Sequence, residues 1–160
     1  MKPSVLFVCM GNICRSPTGE GVLQSLAEQR GIASQLHIDS AGTIGYHTGN
    51  PADRRMRAAA SQRGYALNSR ARQVKLDDLL EFDLVIAMDS DNLHDLRRLA
   101  ESAGDALKAE LKMLSDFLDD KWPVDVPDPY YGGADGFEFV LDMIEAACPA
   151  ILERLGARGQ

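Results

Sequence analysis

The sequence predicts an α/β fold, in which a single domain of three layers has a central four-stranded parallel sheet with helices on both faces. Segments typical of strands and helices alternate along the chain, and this alternation is typical of parallel sheets with helical crossovers. Residues 82–88 form a near-continuous apolar run, which indicates a strand buried on both faces. A length of 160 residues suits one core, so residues 1–160 are predicted to form one domain.

The first predicted strand covers residues 5–8, where β-branched and aromatic side chains favour a buried strand. A helix is predicted over residues 17–30, with Ser16 as its N-cap and Pro17 at its first position. Gly31 suits the residue that ends such a helix. The chain therefore begins with a strand, a short loop and a helix.

The next strand is predicted over residues 36–40, which alternate between apolar and polar side chains. After a loop that contains glycines, Asn50 is predicted to cap a helix that has Pro51 at its first position and ends near Gly64. The later elements follow in order: a helix over residues 76–81, the buried strand over 82–88, a helix over 91–103, a weaker strand over 110–114 and a helix over 134–155. Pro149 predicts a kink or a break in that last helix.

Composition narrows the classes of partner. There are 17 basic and 24 acidic residues, and a net charge of −7 argues against a nucleic-acid partner. The chain has no apolar run of membrane length, so no membrane partner is expected. Three cysteines without a disulfide spacing are typical of a reducing, cytoplasmic protein.

The segment from Cys9 to Arg15 contains the residue types of an anion site. A strand, a loop and a helix start aim backbone N–H groups and the positive end of a helix dipole at one point. A cysteine thiolate is a strong nucleophile, and a guanidinium with several N–H donors fits the oxygens of a phosphoryl group. These residues predict attack of a thiolate on phosphorus, and the expected phosphate-binding residues are Met10, Gly11, Asn12, Ile13, Cys14 and Arg15. The plainer alternative is a buried cysteine beside an arginine that faces solvent.

Two motifs resemble one known family. The segment from Cys9 to Ser16, Cys-Met-Gly-Asn-Ile-Cys-Arg-Ser, resembles the signature loop of the low-molecular-weight protein tyrosine phosphatases. Asp128-Pro129-Tyr130-Tyr131-Gly132 is similar to the second signature of that family. The resemblance extends over nearly the whole chain. It implies hydrolysis of phosphotyrosine in two steps, through a cysteinyl-phosphate and without a metal or other cofactor.

The resemblance also implies the catalytic roles. Cys9 is the expected nucleophile, and Arg15 is expected to stabilise charge on the phosphoryl oxygens. Asp128 is expected to protonate the phenol and then to deprotonate water, because phenolate is a poor leaving group. For Asp128 the alternative is a plain surface turn before a proline.

Further residues are expected around this centre. The pocket wall is predicted to contain Ile13, Tyr46, Tyr130 and Tyr131, although each tyrosine also suits a half-buried rim position. Three polar residues are expected to brace the loop: Asn12, Ser16 and Ser40. Many members of the family have a histidine where this chain has Ser69, which puts one corner of the bracing network in doubt.

Cys14 suggests a redox switch. Disulfides need Cα atoms about 4.4–6.8 Å apart, and in a loop wound around an anion the Cα atoms of Cys9 and Cys14 can meet that requirement. The resemblance implies the same role, in which Cys14 protects oxidised Cys9 as a disulfide. The alternative is that Cys14 only packs beneath the loop.

Two rival functions remain at the sequence level. A thiol-coupled arsenate reductase shares this loop, but residues 82–92 lack the cysteine that its disulfide relay needs. A catalytically silent anion-binding module is the second rival, and the presence of all three catalytic residue types argues against it. Metal binding is not expected, because the sequence has no paired CxxC or histidine spacing. The expected partners are a phosphotyrosine protein, for which a bacterial tyrosine kinase is one candidate, and inorganic phosphate as product. A monomer or weak dimer is expected.

Overall fold

A computed structural model describes residues 2–156 and has one parallel sheet of four strands in the order β2-β1-β3-β4. The strands are β1 Ser4–Cys9, β2 His37–Gly42, β3 Leu84–Ala87 and β4 Glu110–Met113. The helices are α1 Arg15–Gln29, α2 Arg54–Gln62, α3 Leu76–Glu81, α4 Ser90–Glu101 and α5 Ala134–Leu155. No helix within residues 2–156 is both long enough and apolar enough to cross a membrane.

The two faces of β1 contact separate clusters of buried side chains. Val5 and Phe7 belong to a cluster that includes side chains of α1 and α5. Leu6 and Val8 lie in a second cluster, with Leu79 of α3 and further side chains of α4. Because successive residues of a strand face opposite sides, β1 lies at the centre of three layers. The predicted α/β fold is confirmed.

The start of α1 differs from the prediction. The helix begins at Arg15, and Cys14 rather than Ser16 occupies the N-cap position. Ser16 is unavailable as a cap because its hydroxyl oxygen accepts from Asn12 and lies 3.0 Å from Cys9 Sγ. The helix ends close to the predicted place, and Gly31 follows it with a φ of 71°.

The predicted cap at Asn50 is wrong. Helix α2 begins at Arg54, and the N-cap is Asp53, whose carboxylate accepts from the backbone N–H groups of Arg55 and Met56. Pro51 lies before the helix and forms an isolated antiparallel bridge with Arg70. A carboxylate that accepts from two of the free N–H groups is a stronger N-terminal signal than the Asn-Pro pair.

The last helix has the predicted bounds. Helix α5 is continuous from Ala134 to Leu155, so the predicted break at Pro149 does not occur. Helix α5 packs along α1, and this tertiary contact stabilises α5 even though Pro149 would disrupt an isolated helix. Before α5, residues 118–133 form a long loop. Within this loop, the Trp122 ring lies 5.9 Å from the Phe139 ring between centroids and anchors the loop to the core.

Candidate active site

The segment from Cys9 to Arg15, hereafter the phosphate loop, lies at the carboxyl end of the central strand. β1 is flanked by β2 and β3, and ligands of open α/β sheets bind at this kind of position. Cys9 is 2% exposed and Arg15 is 3% exposed. The plainer alternative, in which the arginine faces solvent, is therefore wrong.

The phosphate loop curls through one left-handed residue. Asn12 has a φ of 59° and is the only non-glycine residue of residues 2–156 with a positive φ. Among the described residues, the backbone N–H groups of residues 10–14 donate to no main-chain carbonyl. These groups are therefore left to bind an external acceptor, as the strand–loop–helix pattern predicts.

The end of β2 is in direct contact with the phosphate loop. The backbone N–H groups of Thr43 and Ile44 donate to the carbonyls of Cys9 and Met10, at 2.9 and 3.1 Å. A Cβ atom at Gly42 would lie 2.6 Å from the Met10 carbonyl oxygen, a distance that side chains do not tolerate. Glycine is thus required where the strand meets the loop.

The Asn12 side chain braces the loop through three hydrogen bonds. Its Oδ1 accepts from the backbone N–H of Arg72 at 3.0 Å, which fixes the orientation of the amide. Its Nδ2 then donates to Ser16 Oγ at 2.7 Å and to Ser40 Oγ at 3.0 Å. Ser16 Oγ also lies 3.0 Å from Cys9 Sγ and 3.3 Å from the Ala41 carbonyl oxygen, so its proton can be directed to either of these acceptors.

The bracing network is complete without a histidine at position 69. The Arg72 main chain supplies the donor to Asn12, and every buried side-chain nitrogen or oxygen of the described residues has a hydrogen-bond partner. The network continues to Glu20, which accepts from the Ser40 hydroxyl at 2.6 Å. Burial raises the pKa of the Glu20 carboxyl, the Ser40 hydrogen bond opposes that shift, and the charge of Asp39 adds to it.

Arg15 is held by a carboxylate that the sequence analysis missed. Its Nη1 contacts Asp89 Oδ2 at 2.6 Å and donates to the Val126 carbonyl at 3.0 Å. Burial alone would lower the pKa of the Arg15 guanidinium, but the charges of Cys9, Asp89 and Asp128 outweigh it and the net pKa is raised. Asp89 follows β3 at the same sheet edge as Cys9, and that shared position was the available signal.

Asp128 faces the same centre from the long loop. Its Oδ2 lies 3.7 Å from Arg15 Nη2, and its side chain is 34% exposed. Its Oδ1 accepts from the backbone N–H of Tyr130 at 3.0 Å. The preceding part of the loop is attached to the sheet, because the Val126 N–H donates to the Met88 carbonyl at 2.9 Å.

A cleft of about 350 Å³ opens above the phosphate loop. All four residues predicted for the wall line it, together with Met10, Ile44 and His47. Tyr46 and Tyr131 are 83% and 85% exposed, so they lie at the mouth, whereas Tyr130 is 38% exposed. His47 follows Tyr46 in the exposed loop after β2, and its ring meets that of Tyr46 edge-on, with 4.8 Å between the ring centroids.

The phosphate loop contains two cysteines, and the surroundings of Cys14 disfavour its charged form. Both are buried free thiols. Burial raises the pKa of the Cys14 thiol, and the charges of Asp53 and Cys9 raise it further.

Among residues 2–156, no group of three or more histidine, cysteine, aspartate or glutamate side chains is arranged to hold a metal ion.

Comparisons with known proteins agree with this geometry. A family model for low molecular weight phosphotyrosine protein phosphatases matches residues 4–160. A low molecular weight protein-tyrosine-phosphatase of Streptomyces coelicolor is 46% identical over 152 residues, which cover 95% of this chain and 93% of that protein.

Solved structures show the same similarity. A protein tyrosine phosphatase from Entamoeba histolytica has a TM-score of 0.88 at 39% identity, and the match covers 97% of each chain. A Drosophila arginine phosphatase has a TM-score of 0.89 at 31% identity, over 96% of this chain and 97% of that one. By its sequence and its fold, the chain belongs to the low molecular weight phosphotyrosine protein phosphatase family.

Proposed function

We propose that this protein is a protein tyrosine phosphatase that hydrolyses phosphotyrosine in protein substrates. One observation carries the proposal: Cys9, Arg15 and Asp128 line a single pocket at the carboxyl end of the sheet. Each supplies a different function that phosphoryl transfer needs, namely a nucleophile, a fixed positive charge and a proton donor. The two family signatures, far apart in sequence, meet at this pocket.

The first step forms a covalent intermediate. The Cys9 thiolate attacks phosphorus, a sulfur–phosphorus bond forms, and the bond from phosphorus to the phenolic oxygen breaks. Asp128 donates its proton to that oxygen, so the leaving group departs as a neutral phenol. Arg15 and the N–H groups of residues 10–15 stabilise the charge on the phosphoryl oxygens.

The second step releases the product. Asp128, now ionised, takes a proton from a water molecule, whose oxygen attacks phosphorus. The sulfur–phosphorus bond breaks, Cys9 returns to the thiolate, and inorganic phosphate leaves. The Ser16 hydroxyl is placed to donate to the departing sulfur, at 3.0 Å in the structure. Asp89 contributes by holding the Arg15 guanidinium in one orientation.

The pocket wall favours an aromatic phosphate ester. Ile13 and Tyr130 line the cleft with apolar surface, and a phenyl ring reaches further from the peptide backbone into such a cleft than a serine side chain does. Phosphoarginine is the second candidate, because an arginine phosphatase has the same fold. A guanidinium leaving group would require carboxylates around it, and Asp128 is the only carboxylate among the described residues that line the pocket.

Substrate choice tests this assignment. Three peptides of one sequence that contain phosphotyrosine, phosphoserine or phosphoarginine are compared by phosphate release under initial-rate conditions. We expect kcat/KM for the phosphotyrosine peptide to exceed that for each of the other two peptides by about 100-fold or more, because only the phosphotyrosine ring packs against the apolar wall of the cleft. Equal or faster release from phosphoarginine would replace this proposal with arginine phosphatase activity.

We propose that the natural partners are phosphotyrosine proteins of the cytoplasm, a bacterial tyrosine kinase among them, and that the enzyme acts as a monomer or weak dimer. The exposed tyrosines at the mouth, Tyr46 and Tyr131, offer contact surface for protein around the modified residue. The buried thiols need a reducing compartment to stay free. The fold and these contacts require no second copy of the chain.

A redox role for Cys14 is part of the same proposal. Peroxide oxidises the Cys9 thiolate to a sulfenic acid, with loss of one oxygen of the peroxide as water. The Cys14 thiol then attacks the sulfenic sulfur, a disulfide forms, and a second water leaves. A cytosolic dithiol reduces the disulfide and restores both thiols. The raised pKa of Cys14 keeps it protonated in the reduced enzyme, so it does not compete with Cys9 as a nucleophile.

Recovery after mild peroxide tests this role. Wild type and Cys14→Ser are oxidised, treated with a dithiol reductant and assayed for activity against untreated samples. Wild type is expected to regain most of its activity and Cys14→Ser little, because its Cys9 advances to sulfinic acid. Cys148→Ser serves as the control for a buried cysteine outside the loop. Equal recovery in all three proteins would leave Cys14 with a packing role only.

A further inference from the structure

The Arg55 side chain joins two parts of the active site that no motif connects. Arg55 lies in the first turn of α2 and is half exposed. Its Nε and Nη2 donate to the two carboxylate oxygens of Asp53 at 3.2 and 3.0 Å. The same Nη2 donates to the Tyr130 carbonyl at 3.0 Å. Its guanidinium carbon lies 5.3 Å from the centre of the Tyr130 ring and 4.9 Å from that of Phe137.

One end of this connection is anchored to the phosphate loop. The backbone N–H of Asp53 donates to the Ile13 carbonyl at 2.7 Å. Burial would raise the pKa of the Asp53 carboxyl, but its hydrogen bonds from Arg55 and from two backbone N–H groups outweigh burial, and the pKa is lowered. Asp53 therefore stays ionised at neutral pH and keeps the two-pronged contact with Arg55.

The other end reaches the residue expected to donate the proton. The Tyr130 N–H donates to Asp128 Oδ1 at 3.0 Å, while the Tyr130 carbonyl accepts from Arg55. Only Pro129 separates the two residues in sequence. A displacement of Tyr130 therefore moves the hydrogen bond that orients the Asp128 carboxylate.

We infer that Arg55 is a positioning residue that holds the Asp128 segment at a fixed distance from the phosphate loop. The contacts run from the Ile13 carbonyl through Asp53 and Arg55 to the Tyr130 peptide. The inference rests on the proposed role of Asp128 as the acid. Proton transfer depends on the separation of donor and leaving oxygen, so a looser Asp128 segment slows the reaction most where protonation matters most.

Arginine is required for this arrangement. A guanidinium donates to a carboxylate and to a carbonyl at once while its flat face lies over an aromatic ring, and the single ammonium of lysine cannot do all three. The competing interpretation is an ordinary surface ion pair between Arg55 and Asp53. Such exposed pairs contribute little to stability, and their removal leaves catalysis unchanged.

The test compares Arg55→Ala and Arg55→Lys with Arg54→Ala, an exposed arginine next to it on α2 and outside the contacts described above. Each variant is assayed on aryl phosphates whose phenols range from strongly activated to unsubstituted. Arg55→Ala is expected to lose about 10-fold in kcat/KM on phenyl phosphate and less than about 2-fold on the most activated ester. Arg55→Lys should fall in between, and Arg54→Ala should match wild type. Thermal melting confirms that each variant is folded.

A double-mutant cycle shows whether Arg55 acts through Asp128. In an Asp128→Ala background, Arg55→Ala is expected to cause no further loss, because the group that it positions is already gone. The same loss in both backgrounds, or a loss that is equal for all leaving groups, would refute the inference. If Asp128→Ala alone shows no leaving-group dependence, the acid assignment fails and the Arg55 proposal falls with it. If Asp128→Ala shows the dependence and Arg55→Ala does not, only the Arg55 proposal is wrong.

Discussion

Cys9→Ser is expected to abolish turnover, with a loss in kcat of about 10⁴-fold or more, while the protein remains folded. A serine hydroxyl fits the space of the thiol but stays protonated at neutral pH, so the attacking group is lost. The donors of the phosphate loop are unchanged, and phosphate or vanadate should therefore still bind. Initial rates on a phosphotyrosine peptide, calorimetry with phosphate and a melting curve measure the three properties.

Cys148→Ser is the matched control for this substitution. Cys148 is a buried thiol on α5 outside the pocket, so its loss should lower stability and leave kcat unchanged. Because Cys9→Ser retains binding without turnover, it also serves to capture phosphotyrosine proteins from a bacterial extract. Turnover by Cys9→Ser within about tenfold of wild type would remove Cys9 as the nucleophile.

Asp128→Ala is expected to lower kcat by about 10²–10⁴-fold on phosphotyrosine. The loss should shrink for strongly activated aryl phosphates, because their phenolates leave without protonation. Steady-state rates on an aryl phosphate series provide the measurement.

The control is Asp120→Ala, an exposed aspartate of the same loop that does not line the pocket. It changes the net charge equally, so any effect of charge alone appears in both variants. A uniform loss across all leaving groups in Asp128→Ala would count against the acid role. It would indicate instead that Asp128 contributes through its contact with Arg15, at 3.7 Å.

The elements that could be predicted are those set by local chemistry. The bounds of α3 and α5 match the prediction, and the two ends of α5 are marked locally by the glycines Gly133 and Gly156. The buried strand β3 lies within the predicted run of residues 82–88, since continuous apolar character is typical of a strand covered on both faces. The phosphate loop was predictable because its residue types are needed together within seven positions.

The features that were missed depend on contacts between distant segments. Serine is a residue type that favours the N-cap, yet the Ser16 hydroxyl contacts Asn12 and Cys9 instead. Neither contact produces a periodic pattern in the sequence. Asp89 meets Arg15 across 74 positions, and Arg55 meets Tyr130 across 75. Such pairs follow only from the strand order, and a single sequence gives the order of strands in the chain rather than in space.

The bracing of Asn12 has a consequence for the thermodynamics of ligand binding. A loop that its own side chains already hold in a curled shape loses little conformational entropy when an oxyanion enters. Little of the favourable enthalpy of the hydrogen bonds to the free N–H groups is then offset by lost entropy, for the product as well as for the transition state. We therefore expect inorganic phosphate to inhibit in competition with substrate, and its departure to contribute to the rate of each catalytic cycle.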